Sequence, residues 1–280
     1  MKPSDFSAWL KGHNRPTLVM GVLNVTPDSF SDGGRFANED AAVARAEAMV
    51  AEGAQMIDVG GESTRPGSQP VAADEQIRRV VPVIRRIAQL PVTISIDTTR
   101  AAVAEAALEA GAAVVNDISA GRDDPAMLPL VARRRCPVIL MHMQGTPATM
   151  QAAPTYSDVV LEVAGFLIER TAAAVAAGVE RERVLIDPGI GFGKAQEHNL
   201  ALLRRQRELI DAVGRPAVIG TSRKGFIGRI TGVDEPSRRL FGTAATVAWA
   251  VANRAAVVRV HDVEAMKQVV TMTRAIVDVS

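Results

Sequence analysis

Ionisable and amide side chains follow short apolar runs along this chain, and together they have the chemistry of a ligand site. Each of eight apolar runs ends at or near a polar residue. Four of these residues supply two carboxylates, an amide and a cation: Asp97, Asn116, Asp187 and Lys224. A carboxylate accepts two parallel hydrogen bonds from a guanidine-like edge, as it does from arginine. The set therefore suits a planar heterocycle with such an edge, with Met141 and Phe192 as apolar walls.

A second group of residues suits an anion. Arg259 and His261 alternate at the last apolar run, so in a strand their side chains point the same way. The glycine-rich segment 222–232 follows the seventh run and could begin a helix whose N–H groups face the cavity. Asn24 and the acidic residues after it could hold Mg²⁺ through oxygen ligands.

Each of these residues also has a purely structural interpretation. Asp97 could cap the following helix, and Asn116 with Asp117 could form a turn. His142 lies between two methionines and is interpreted as a hydrogen-bonded core residue. The functional interpretation depends on the joint placement of the polar residues at successive strand ends.

The elements that must position these residues alternate along the chain. Continuous apolar runs are typical of buried parallel strands, and they occupy residues 18–23, 56–59, 92–96, 113–115, 138–141, 184–186, 217–219 and 257–260. Helical patterns occupy 39–52, 73–89 (with a kink or break at Pro82), 99–110, 125–135, 157–177, 197–213, 236–253 and 262–277. This alternation predicts an α/β fold, a single-domain (β/α)₈ TIM barrel whose chemistry collects at the C-terminal strand ends. A doubly wound sheet is the competing architecture.

Composition limits the classes of function. A chain of 280 residues with a net charge of +1 can be one large domain, here 1–280 with an N-terminal extension at 1–16, and gives no support for nucleic-acid binding. The single cysteine, Cys136, is expected to be a buried structural thiol, which fits a reducing cytosol. No segment has the pattern of a signal peptide or a membrane span, so a cytoplasmic protein without membrane contact is expected.

Two connections are too long for ordinary strand-to-helix turns. Residues 24–38 follow the first strand and residues 60–72 follow the second, and both segments are rich in Gly, Ser, Pro and Asp. Loops of this length in a compact domain are often lids or binding loops.

The motifs of the chain resemble those of the bacterial dihydropteroate synthase family from the first strand to the last. The matching segments are MGVLNVTPDSFSDGG (20–34), IDVGGESTRPG (57–67), SIDTTR (95–100), VNDIS (115–119), IDPGIGFGK (186–194), SRKGFIG (222–228) and RVHDV (259–263). The resemblance implies a TIM barrel and a transferase of folate biosynthesis. Enzymes of that family condense 6-hydroxymethyl-7,8-dihydropterin pyrophosphate with p-aminobenzoate, and sulfonamides compete with p-aminobenzoate.

The resemblance also implies roles for individual residues. The pterin would be held by Asp97, Asn116, Asp187 and Lys224 between the walls Met141 and Phe192, and the pyrophosphate by Asn24, Thr64, Arg259 and His261, with Asn24 also near Mg²⁺. The catalytic group would be Asp97, Lys224, Arg259 and His261, and the p-aminobenzoate loops would contribute Phe30, Asp32, Thr64, Arg65, Pro66 and Gly225. Many family members have serine where this chain has Gly225, so the aminobenzoate carboxylate would rely on backbone N–H groups. Family members also form dimers, and residues 243–256 are the candidate interface of a homodimer.

The expected reaction is SN1-like, with pyrophosphate leaving before the arylamine attacks. Three alternatives remain open from the residues alone. A methyltransferase that passes a methyl group from methyltetrahydrofolate to a corrinoid would share the strand-end Asp and Asn, but should lack both long loops. A non-catalytic paralogue should have lost site residues, and a phosphate-sugar barrel would not explain the carboxylates.

Overall fold

Eight parallel strands form the centre of the protein. The computed structural model describes residues 1–12, 15–26, 34–63, 67–146, 149–150 and 154–278. The strands are β1 (Leu18–Asn24), β2 (Met56–Gly60), β3 (Thr93–Asp97), β4 (Val114–Asp117), β5 (Val138–Met141), β6 (Val184–Asp187), β7 (Val218–Ile219) and β8 (Val257–Val260). All eight predicted strands are therefore confirmed, with ends shifted by two residues at most.

The sheet closes into a barrel. Its strand order is β6-β5-β4-β3-β2-β1-β8-β7, and each pair of neighbours in this order is parallel. A parallel bridge between Ile186 and Ala217 joins the two ends, supported by a 3.0 Å hydrogen bond from Ile186 N to the Pro216 carbonyl. The predicted (β/α)₈ barrel is thus confirmed and the doubly wound sheet is excluded.

The strands sort their side chains into two sets because successive residues point to opposite faces. The outward set, such as Val19, Ile57 and Val258, packs with the surrounding helices in the main apolar core. The inward set packs in a separate apolar cluster that fills the N-terminal part of the barrel: Leu18, Met20, Met56, Val114, Ile139, Leu185, Val218 and Val257. Because the inward rows continue toward the C-terminal ends, the next inward residues must form the floor of any cavity there.

The N-terminal segment seals the other end of the barrel. Residues 1–16 contain helix α1 (Pro3–Lys11), whose buried Phe6, Trp9 and Leu10 belong to the same cluster as the inward strand residues. The rings of Phe6 and Trp9 stack at 5.2 Å, and Trp9 Nε1 donates to the Pro16 carbonyl at 2.9 Å. Helix α1, within the predicted extension, therefore packs into the barrel core.

The helices surround the strands in the predicted order. They are α2 (Gly34–Ala51), α3 (Ala73–Ile87), α4 (Ala101–Ala110), α5 (Met127–Arg134), α6 (Val159–Ala176), α7 (Gln196–Arg204), α8 (Gln206–Val213), α9 (Gly225–Thr231), α10 (Leu240–Ala252) and α11 (Val263–Val277). Helix α3 continues through Pro82 without a break, and the alternative of a kink there stays a prediction. The predicted helix 197–213 is divided at Arg205, whose backbone leaves the helical region. Among the described residues, no helix is long and apolar enough to cross a membrane.

Candidate active site

A cavity of about 610 Å³ opens at the C-terminal ends of the strands. Its floor is the next layer of inward-facing strand residues after the apolar cluster that fills the N-terminal part of the barrel. This layer is mostly polar. The residues predicted for the site that line the cavity are Asn24, Asp97, Asn116, Met141, Asp187, Phe192, Lys224, Gly225, Arg259 and His261. The period-2 geometry of the strands thus brings together residues from seven different strands or their loops.

Arg259 is the centre of the polar floor. Its Nε donates to Asp58 Oδ2 at 2.7 Å, and its Nη2 donates to Asp97 Oδ2 at 2.9 Å. Asn116 Nδ2 donates to the same Asp58 oxygen at 2.9 Å. Strands β2, β3, β4 and β8 are therefore tied together by one guanidinium, two carboxylates and one amide.

The two carboxylates bound to Arg259 retain unused hydrogen-bonding capacity. Within the described part of the chain, no group donates to Asp58 Oδ1 or Asp97 Oδ1, although both atoms are buried. Burial, followed by repulsion from Asp58, raises the pKa of Asp97 to about 7 against the attraction of Arg259. A buried acceptor without a donor is costly, so a ligand with N–H groups would be favoured at this position.

Asp187 and Lys224 form the opposite side of the cavity. Asp187 Oδ1 accepts a 2.7 Å hydrogen bond from Gly189 N, and burial raises the pKa of this carboxyl. Lys224 Nζ lies 4.0 Å from the centroid of the Phe192 ring, within the range of a cation–π contact. Burial, and then the charge of Arg259, lowers the pKa of Lys224 to about 8. This side therefore offers an acceptor, a mostly protonated amine and a flat apolar face.

The turn after β7 aims Lys224 and Ser222 into the cavity. Arg223 adopts a left-handed backbone with φ of 60°, and its guanidinium is held by Asp262. Ser222 Oγ accepts from His261 N at 3.1 Å and lies 3.0 Å from His261 Nδ1. When this hydroxyl donates to Nδ1, the proton of the neutral imidazole lies on Nε2.

His261 is a neutral imidazole at pH 7. Burial, followed by the positive charge of Arg259, lowers its pKa to about 3. The positive charge at this end of the cavity comes instead from Arg259 on the floor and from three arginines at the rim, Arg223, Arg229 and Arg239.

Sequence reasoning missed two residues of the site, Asp58 and Lys194. Asp58 appears in the sequence as a polar residue inside the second strand, two positions after Met56 and so on the same face, but it received no role. Lys194, the last residue of the IDPGIGFGK motif, also lines the cavity. The predicted loop residues Phe30, Asp32, Thr64, Arg65 and Pro66 lie outside the described residues. His142 is buried and its Nδ1 is 2.9 Å from Lys194 Nζ, as expected for a hydrogen-bonded core histidine.

Comparison with known proteins agrees with this geometry. A family model described as pterin binding enzyme matches residues 20–261. The chain is 47% identical over 261 residues to dihydropteroate synthase of Synechocystis, covering 93% of this chain and 90% of that protein. The chain belongs to the dihydropteroate synthase family.

Two solved structures show how close the family fold is. Xanthomonas albilineans dihydropteroate synthase with 4-aminobenzoic acid superimposes with a TM-score of 0.88 at 46% identity, covering 94% of each chain. A structure of that enzyme in complex with 7,8-dihydropteroate gives 0.85 at 43% identity, covering 94% of this chain and 95% of the other. As a member of the dihydropteroate synthase family the protein is a transferase, and the alternatives of a corrinoid-linked methyltransferase and a non-catalytic paralogue receive no support from these relatives.

Proposed function

We propose that the protein condenses 6-hydroxymethyl-7,8-dihydropterin pyrophosphate with p-aminobenzoate to give 7,8-dihydropteroate and pyrophosphate. The observation that carries the proposal is the division of one cavity into a carboxylate-rich floor and a cationic rim, in a chain of the dihydropteroate synthase family. The two X. albilineans complexes contain one substrate and the product of this reaction.

The floor is suited to the pterin ring. Asp97 has a buried oxygen with no donor among the described residues, and Asp187 has already used one oxygen on Gly189. Each carboxylate can therefore accept an N–H from the ring, while Asn116, held by Asp58 through one N–H, retains its other amide atoms for the ligand. Met141 and Phe192 would cover the two apolar faces of the ring.

Arg259 would link the pterin floor to the pyrophosphate. In the ligand-free protein its Nη2 is bound to Asp97, which is also the residue proposed to bind the ring. A ring N–H would bind the other oxygen, Oδ1, so Arg259 keeps its contacts with Asp58 and Asp97 and can offer its remaining N–H groups to the pyrophosphate. The two halves of the substrate would thus be recognised together.

The pyrophosphate would lie between Arg259, His261 and Asn24. The Nε2–H of a neutral His261 can donate to a phosphate oxygen, and a bound dianion would also raise the pKa of this imidazole. We propose Thr64 of the second loop as a further contact.

Magnesium fits this end of the cavity as a substrate-borne ion. Mg²⁺ is usually bound by one or two protein oxygens together with phosphate oxygens and water. The described residues contain no group of three His, Cys, Asp or Glu that could hold a metal ion, and Asn24 provides one amide oxygen beside the cavity. When bound, the ion would neutralise charge on the leaving pyrophosphate.

The reaction then needs little acid–base chemistry from the protein. The bond between the pterin methylene and the pyrophosphate oxygen breaks, its electron pair leaves with the oxygen, and the cation is delocalised into the reduced ring. The neutral arylamine nitrogen of p-aminobenzoate forms the new C–N bond and loses a proton to solvent or pyrophosphate. Arg259 and His261 stabilise the leaving group, while the negative floor formed by Asp97 and Asp187 stabilises the cation.

The p-aminobenzoate is proposed to bind at the start of α9, beneath the two long loops. Gly225 opens this helix and lines the cavity, so its backbone N–H would meet the carboxylate that a serine hydroxyl would otherwise bind. Phe30, Asp32, Arg65 and Pro66 would complete the pocket from the loops. Their closure would exclude water, which would otherwise capture the cation.

We also propose that the protein is a cytosolic homodimer that folds as one domain over 1–280. The face of α10 presents Phe241 with 86% of its surface exposed and Trp249 with 48% exposed, and Ile230 and Leu200 on α9 and α7 are also exposed. Large exposed apolar side chains gathered on one side of a barrel are typical of a subunit interface. The single cysteine is buried and its pKa is raised to about 11 by burial, which fits the reducing environment of a cytosol.

A coupled assay of pyrophosphate release tests the proposed function. With both substrates and Mg²⁺, purified protein should release pyrophosphate at a rate that depends on p-aminobenzoate, and a sulfonamide should compete with p-aminobenzoate. Release that ignores p-aminobenzoate, or no release at all, would refute the proposal.

A further inference from the structure

Lys194 is a buried cation that the chemistry described so far does not use. Only 1% of its surface is exposed, and it is among the largest fully buried side chains of the described protein. Within the described residues no carboxylate forms a salt bridge with it. Burial lowers its pKa to about 7, despite the attraction of Asp187.

The amine of Lys194 joins the two walls of the proposed pterin pocket. Its Nζ is 2.9 Å from His142 Nδ1 and 3.4 Å from the His142 carbonyl. His142 directly follows Met141, the last residue of β5. It also donates to the carbonyl of Phe192 at 2.9 Å. In its protonated form the amine has three donors. Two of them point to His142, the neighbour of Met141, and the third points to the carbonyl of Phe192.

The loop that carries Phe192 is held by side chains from outside it: besides Lys194, Asn199 Oδ1 accepts from Gly191 N at 2.6 Å and the Tyr156 hydroxyl donates to the Gly193 carbonyl at 2.7 Å. Gly189, Gly191 and Gly193 all have left-handed backbones, with φ of 65°, 84° and 59°. The loop runs against the end of β5 so closely that a Cβ on Gly189 would lie 1.9 Å from the His142 carbonyl. A glycine-rich backbone gains little rigidity from its own side chains, so hydrogen bonds from neighbouring side chains hold the loop, and the one to the Phe192 carbonyl itself comes from Lys194.

The chemical identity of the residue also points to a role in geometry. A methionine of similar length would fill the same space without the cost of burying an amine. The cluster around the amine is nevertheless fully assembled: the ring of His142 packs edge-on against Phe166 at 4.9 Å, which sets the direction of its Nδ1 acceptor. Buried polar groups held this completely define one arrangement of the elements they join.

We propose that Lys194 is a positioning residue that sets the spacing between Met141 and Phe192 and thereby the affinity for the pterin ring. This role rests on the proposed function, because it assumes that a pterin occupies the space between these walls. Lys194 would act through the carbonyl of Phe192 and through His142, without touching the substrate. Phe192 is also the ring beneath the Lys224 amine, so a displaced loop would disturb this contact as well.

The test compares Lys194→Met with two control variants. Lys267→Met makes the same chemical change on α11, away from the cavity, and Tyr156→Phe removes the 2.7 Å hydrogen bond to the Gly193 carbonyl while leaving the Lys194 contacts intact. Lys194→Met should raise the KM and the calorimetric Kd for 6-hydroxymethyl-7,8-dihydropterin pyrophosphate by roughly 10- to 100-fold, as expected for a misplaced binding group. The KM for p-aminobenzoate should change by less than about 3-fold, and both controls should stay within about 3-fold for both substrates.

A second variant covers the case in which Lys194→Met does not fold. His142→Phe keeps an aromatic ring against Phe166 but removes the Nδ1 acceptor, and it should weaken pterin binding in the same selective way. In the double variant the two effects should be far from additive, because the residues act through one contact.

Two results would overturn the role of Lys194. One is a pterin Kd within about 2-fold of the wild type in Lys194→Met or, if that variant is insoluble, in His142→Phe. The other is an equal loss of affinity for both substrates, which would indicate general damage to the fold. Failure of the wild-type protein to bind the pterin would instead refute the proposed function, so the two failures are distinguishable.

Discussion

Asp97→Asn should stabilise the folded protein at neutral and alkaline pH while it abolishes the activity. Asp97 is a buried carboxyl next to Asp58, and the two share one guanidinium from Arg259. Asparagine keeps the shape and removes the charge that burial disfavours. It also removes the acceptor proposed for the ring N–H, so turnover should fall by roughly 100-fold or more.

The size of the stabilisation follows from the pKa of Asp97. Its pKa is about 7 in the folded protein and 3.8 in a model peptide, a difference of about 3. The folded state therefore holds the proton more tightly than the unfolded state, and wild-type stability falls as pH rises from about 4 to about 7. At about 1.4 kcal/mol per pKa unit, the loss is at most about 4 kcal/mol above pH 7.

Urea denaturation of both proteins between about pH 5 and about pH 8 measures this effect. The free energy of unfolding of Asp97→Asn minus that of the wild type should increase with pH, by up to about 1.4 kcal/mol per pH unit, and then level off. Asp74→Asn, at an exposed position on α3, serves as the control and should follow the wild type. Parallel pH profiles of the unfolding free energy for Asp97→Asn and the wild type would show that folding does not raise the pKa of Asp97, and would refute the reasoning.

Three further predictions concern other parts of the site and surface. Arg259→Lys keeps a charge but loses the two-pronged contact with Asp58 and Asp97, so the KM for the pterin pyrophosphate should rise about 10-fold or more in steady-state assays; an unchanged KM would contradict this. Gly225→Ser adds a hydroxyl where a Cβ would meet only Arg229 Nη1 at 3.5 Å, so the melting temperature should stay unchanged. The KM for p-aminobenzoate should fall, and a higher KM would count against the proposed carboxylate site. Phe241→Arg should convert a dimer to a monomer in sedimentation experiments because this side chain is 86% exposed on α10, and a variant that remains dimeric would place the interface elsewhere.

The barrel and most of its polar floor could be predicted from the sequence because both depend on strand periodicity. Buried parallel strands are recognisable as apolar runs, and the polar residue at the end of each run marks the C-terminal face. Asp97, Asn116, Asp187 and Arg259 therefore met at one cavity as predicted. The end of the barrel opposite the cavity was not predicted, since nothing in the pattern of 1–16 shows that Phe6, Trp9 and Leu10 pack against inward strand residues.

Contacts between distant residues could not be predicted from local patterns. Asp58 and Arg259 are 201 positions apart and are joined by a 2.7 Å hydrogen bond that only the closed barrel creates. Likewise, the neutral state of His261 results from burial and from the charge of Arg259, which are properties of the folded cavity. The hydrogen bonds of Lys194 depend on the position of the β6–α7 loop against β5, a packing detail that spacing does not encode.

The most direct test of the central claim is identification of the product. Purified protein supplied with the pterin pyrophosphate, p-aminobenzoate and Mg²⁺ should form 7,8-dihydropteroate and pyrophosphate in equal amounts, measured by mass spectrometry and phosphate analysis. The Asp97→Asn variant should form both at a rate lower by roughly 100-fold or more. Consumption of the pterin pyrophosphate without dihydropteroate, or equal product from the variant, would contradict the account.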